Sequence, residues 1–78
     1  MVGKILKYMR VTKGLYQKDL ARLLNVDQTT ISGWERGHRE PTFENIEKVA
    51  SICNFEINFT DKTNGEKIDI DSLKRKDI

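Results

Sequence analysis

Five residues between positions 28 and 36, namely Gln28, Thr29, Ser32, Gly33 and Arg36, fall on one face when that segment is wound as a helix. The face is small and polar and carries no large apolar group, so its chemistry is hydrogen bonding rather than bond-making. A glutamine amide donates and accepts together, and Gln28 can therefore bond N6 and N7 of an adenine at once. Thr29 and Ser32 can bond several base edges, and the Thr29 methyl can meet a thymine methyl. Arg36, at the end of the segment, suits a phosphate better than a guanine. Gly33 costs about 1 kcal/mol relative to alanine inside a helix. Either it brings the helix close to a base pair, or it is a position nothing reads. No paired His/Asp/Ser set, metal-ligand cluster or phosphate-cradling glycine loop accompanies these residues, so the expectation is no enzyme, no metal and no cofactor.

The elements that must position this face are two short helices and a tight turn. Residues 17–24 carry Leu20, Ala21 and Leu24 as a narrow apolar stripe on a charged segment. Asn25 follows where a helix needs a residue tolerant of the left-handed region. Val26 can fill the space between the helices, and Asp27 is expected to cap the second by accepting a backbone N–H. Over residues 28–36, Ile31 and Trp34 face inward with Glu35 beside them, leaving the polar face outward as a reading head for a DNA major groove.

The run Gln17, Leu20-Ala21, Val26, Ile31, Trp34-Glu35-Arg36-Gly37, then Pro41, resembles the helix-turn-helix of the lambda Cro/repressor (Xre) family, and the likeness covers Ile5 to Phe55. It implies double-stranded DNA as partner and a structural ion pair between Arg10 and Glu35. Arg10 as a free phosphate contact is the alternative. It also implies that Gln17, at the start of its helix, offers its amide and backbone N–H to a phosphate. The loop over residues 37–41 (GHREP) should lie along the DNA backbone, with His38 and Arg39 as phosphate contacts. Tyr16 departs from the pattern, because a Ser or Thr usually caps the first helix there. The missing cap should cost about 1 kcal/mol, although Asp19 still favours the positive helix end.

The remaining segments are read from periodicity. Val2, Ile5, Leu6 and Met9 predict an amphipathic helix over Val2–Thr12, ended by Gly14. Thr42 should cap a helix over residues 43–54 with Phe43, Ile46, Val49, Ala50 and Cys53 inward. Phe55, Ile57 and Phe59 then alternate, and Asn64-Gly65 signals a two-residue hairpin turn. That turn would set Phe59 opposite Ile70, Asp61 opposite Ile68 and Ile57 opposite Ser72. Such a hairpin must rest its apolar face on the chain's own helices, on a second copy or on a partner protein. Residues 71–78, with the Lys74-Arg75-Lys76 run, read as a charged, frayed tail.

The totals are those of one small domain of 78 residues with 33% charged residues. Up to Pro41 there are eight Lys/Arg against four Asp/Glu, a balance of +4, and from Thr42 onward six against eight, a balance of −2. A basic front half suits a polyanion. A single cysteine, Cys53, on an apolar stripe is expected to be buried and reduced. No stretch approaches the ~18 apolar residues of a membrane span, and no signal-peptide core is visible. The expected fold is mainly α: a four-helix lambda-repressor-like helix-turn-helix domain (residues 1–55), then a β-hairpin for dimerisation or packing (56–71) and a charged tail (72–78). The expected function is a cytoplasmic, sequence-specific transcription regulator, a repressor binding a two-fold operator as a homodimer. The alternative is an antitoxin-type module whose hairpin grips a protein partner while the motif binds DNA.

Overall fold

The computed structural model describes residues 1–75. Four helices, α1 (Val2–Thr12), α2 (Gln17–Leu24), α3 (Gln28–Glu35) and α4 (Phe43–Ile52), precede an antiparallel ribbon of β1 (Asn58–Thr60) and β2 (Lys67–Asp69). The expected class therefore holds, with a short α5 (Ile70–Arg75) added. Of the segment read as a frayed tail, residues 76–78 lie outside the described residues and that helix takes up 71–75. Asp69 starts it, its carboxylate accepting from the Ser72 N–H at 2.7 Å and the Ser72 hydroxyl at 2.9 Å. The side chains of the Lys74-Arg75-Lys76 run lie outside the described residues.

The core is built from one stripe of each of the first four helices: Leu6 and Met9, Leu20 and Ala21, Ile31 and Trp34, Val49, Ala50 and the adjoining Cys53. Burial pushes the Cys53 thiol up, so it is a packed apolar group rather than a nucleophile. The stripe of α1 is rotated from the expected one. Ile5 is exposed, whereas Gly3 and Arg10 are buried with Leu6 and Met9. The cause is a close approach: a Cβ on Gly3 would sit against the Trp34 carbonyl oxygen and 2.8 Å from that of Glu35. Hydrophobic periodicity does not register a contact made by a missing side chain.

Each of the first four helices ends in a left-handed residue, Gly14 and Gly37 after α1 and α3 and asparagine after α2 and α4. Asn25 takes φ 58°, ψ 46°, and the next residue, Val26, donates its N–H to the Ala21 carbonyl at 3.0 Å. Asn54 repeats the device at φ 61°, with Phe55 N–H on the Ala50 carbonyl at 2.8 Å. Thr42 Oγ1 accepts from Asn45 N–H at 3.1 Å and so starts α4. Two expectations for α4 are corrected: it ends at Ile52, and Phe43 is exposed rather than inward.

The hairpin register differs from the expected one by two residues. Phe59 pairs with Ile68, Asn58 with Asp69 and Thr60 with Lys67. The reason is a longer loop over residues 62–65. Asp61 N–H reaches the Glu66 carbonyl at 2.8 Å, and Gly65 N–H returns to the Asp61 carbonyl at 2.7 Å. The Asp61 carboxylate also accepts from Thr63 N–H at 2.9 Å, a local bond that a two-residue turn has no room for. A shift of two preserves the pleat, so Phe59 and Ile68 still share a face. Ile57 falls opposite Ile70, whose N–H donates to its carbonyl at 3.3 Å.

Candidate nucleic-acid interface

Helix α3 is held from behind by its two large apolar residues. Ile31 is 1% exposed and Trp34 5%. With that side fixed, Gln28 and Thr29 emerge exposed, Ser32 is half-buried, and Arg36 stands exposed at the C-terminal end. Asp27 occupies the N-cap position with extended backbone, but its carboxylate accepts no capping bond. The expected side-chain cap is therefore absent. The Asp27 main-chain carbonyl instead takes the N–H groups of Thr30 and Ile31 at 3.0 and 3.4 Å.

Gly33 is not on the open face. It is buried, and the stem of Arg39 lies over it: a Cβ at this position would meet Arg39 Cγ and Cδ at 3.2 Å. The loop is folded back by two bonds to one acceptor, since His38 N–H and Arg39 N–H both donate to the Gly33 carbonyl at 2.9 and 3.2 Å. Outward placement follows from helical spacing alone, and the returning loop, which spacing does not show, covers the position. His38, Arg39 and Arg36 are thus brought together at one end of α3, all exposed.

At the other end, α2 and α3 bring their N-termini to a shallow cleft lined by Arg10, Tyr16, Gln17, Lys18 and Gln28. Glu35 holds two of these side chains, Arg10 and Gln17. Arg10 grips the Glu35 carboxylate with two bonds, Nε–Oε2 at 2.7 Å and Nη2–Oε1 at 2.9 Å, and donates from Nη1 to the Leu15 carbonyl at 2.7 Å. The Arg10 and Glu35 side chains are only 10% and 3% exposed. Burial pushes the Glu35 carboxyl up, but bonds from Arg10 and Gln17 outweigh it and leave it below the usual carboxylate range. Its bond to Glu35 holds the Arg10 guanidinium above its ordinary value against the opposing effect of burial.

Gln17 differs from expectation in one respect. Its amide Nε2 donates to Glu35 Oε1 at 3.1 Å, so the side chain is committed inward. Its backbone N–H, at the first position of α2, belongs to the set with no acceptor inside the helix. Tyr16 supplies no side-chain cap, but Asp19 reaches back and accepts the Tyr16 N–H at 2.8 Å. Lys18, 5.7 Å above the Tyr16 ring, is an exposed cation on this rim that sequence reasoning missed. Its place in the first turn beside Gln17 was the available signal.

Two helices joined by a left-handed asparagine turn, the second anchored by Ile31 and Trp34 with a polar face open to solvent, define a helix-turn-helix DNA-binding domain. Residues 6–59 match a family model described as Helix-turn-helix, and the chain belongs to the Cro/C1-type (Xre) family of DNA-binding transcription regulators. It is 31% identical over 58 residues to the HTH-type transcriptional regulator ImmR of Bacillus subtilis (strain 168), a match covering 74% of this chain and 46% of that protein. It is 31% identical over 51 residues to the HTH-type transcriptional regulator DicA of Escherichia coli (strain K12), covering 65% of this chain and 38% of that one. The chain thus spans less than half the length of these curated relatives. Among solved structures, the wild-type restriction-modification controller protein C.Esp1396I superposes with a TM-score of 0.63 at 37% identity, over 69% of this chain and 71% of that one. Among the described residues no helix is long and apolar enough to cross a membrane, and no group of His, Cys, Asp and Glu is placed to hold a metal ion.

Proposed function

We propose that the chain is a cytoplasmic, sequence-specific repressor that binds a two-fold operator as a homodimer. The observation that carries this reading is the open face of α3: Gln28 and Thr29 exposed, no large apolar residue among them, and Ile31 with Trp34 fixing the helix behind. In this reading Gln28 discriminates bases through its amide, and Thr29 and Ser32 add weaker base contacts. Arg36, His38 and Arg39 hold phosphates beyond the C-terminal end of α3, and the backbone N–H of Gln17 holds one at the start of α2. Gly33 contacts no base, because Arg39 covers it. Residues 1–55 do the binding, and the hairpin supplies the dimer contact.

The paired Phe59 and Ile68, 53% and 46% exposed, support a covering partner for the hairpin. A second copy would set two α3 helices in successive major grooves, about 34 Å apart. Selection of bound duplexes from a random pool tests the reading. An inverted repeat with half-sites about one helical turn apart is the expected result, and a pool without enrichment refutes it. The same exposed pair also suits an antitoxin-like grip on another protein. Sedimentation separates the two: a dimer of the chain alone supports the operator-binding homodimer, and a monomer favours the second reading.

A further inference from the structure

We propose that Gly33 is a positioning residue for Arg39: the missing side chain in α3 is the seat that holds the Arg39 cation beside the reading face. This rests on the DNA-binding reading above. Three observations converge on it. Gly33 sits inside a regular helix, where glycine has no conformational need to be and alanine would stabilise. The Arg39 stem fills the vacated volume, with Cβ, Cγ and Cδ at 3.6, 3.2 and 3.2 Å from where a Cβ would stand. The Arg39 backbone is pinned to the same residue by its own N–H and that of His38 on the Gly33 carbonyl, so the stem has no retreat except by rotating away.

The consequence is a guanidinium already delivered to one place. Among the described residues Arg39 makes no ion pair, and its charge is open to an anion. A free arginine in a loop samples many rotamers, and ordering it on binding subtracts from affinity. Packing the stem against α3 removes part of that cost beforehand. Gly33 thereby contributes to DNA binding without touching DNA.

A methyl group at Gly33 would displace the stem while favouring the helix, so affinity and stability should move in opposite directions. The test is a double-mutant cycle of Gly33→Ala and Arg39→Ala, titrated against an operator selected with the wild type, with thermal unfolding of each variant. Arg39→Ala should weaken binding about ten-fold and make the salt dependence shallower by about one phosphate. Gly33→Ala should lose most of that affinity, show the same change of slope, and melt no lower than the wild type. In the Arg39→Ala background it should cost nothing further. A Gly33→Ala variant that binds like the wild type overturns the inference. So does an additive double mutant, which would mean that the methyl group obstructs DNA by itself. Wild-type protein that selects no operator would overturn the DNA-binding reading as well, and is thereby distinguished from failure of this inference alone.

Discussion

The Arg10–Glu35 pair is the most consequential residue-scale contact, because it ties α1 to the C-terminal end of α3 and is almost wholly out of water. Removing one partner strands the other, which costs about 3–5 kcal/mol when the pair is buried. Arg10→Ala should therefore lose that much stability in urea titration, and its DNA affinity should recover where the fold is restored by added osmolyte. The Glu35 carboxyl lies below its ordinary range in the folded chain. Its stabilising contribution is present above the unfolded value of about 4.3 and disappears as pH falls through the lower folded value. Unfolding free energies measured from neutral pH downward should show this acid loss in the wild type. Glu35→Gln, less stable at neutral pH, should show a flatter profile. At this scale the sequence exposed Gln28, Ile31 and Trp34 plainly, since helical spacing alone sorts inward from outward. It did not disclose that the Gln17 amide turns to Glu35 or that Arg39 covers Gly33. The first joins residues 18 apart and the second needs the loop after α3 to fold back, and helical spacing carries no trace of either.

Two elements are set by contacts too small for periodicity to register. The α1 backbone touches the end of α3 through Gly3, where a Cβ would meet main-chain oxygens that cannot rotate aside. Gly3→Ala should lower the melting temperature despite alanine's better helix propensity, with an overpacking cost of about 1–3 kcal/mol. Gly33→Ala, facing only a flexible stem, should not. Capping separates α4 from α3 in the same way. Thr42→Ala removes a bond that is made and should cost about 1 kcal/mol, whereas Asp27→Ala removes a side chain that accepts no capping bond and should cost less. The hairpin was legible as a hairpin and in which face is apolar. Its register was not, because the Asp61 carboxylate and the Asn64-Gly65 pair together build a longer loop than the dipeptide signals alone.

At the scale of the whole molecule, a small core fixes one polar face and gathers cations at its rim, with Lys18 at one end and Arg36 and Arg39, beside His38, at the other. Binding by such a surface should weaken steeply with salt, the logarithm of affinity falling by about 0.9 per phosphate neutralised for each unit of log salt concentration. From Thr42 onward the charge balance is −2, which disfavours a polyanion and, in the proposed reading, leaves the hairpin to self-association. The most direct test of the central claim is titration of the wild type and Gln28→Ala against a panel of single-base variants of the selected operator. Reading by the α3 face predicts that the variant loses about 1–3 kcal/mol of discrimination at one base pair in each half-site and keeps the wild-type ranking elsewhere. Equal losses on every sequence, or an unchanged profile, would contradict it.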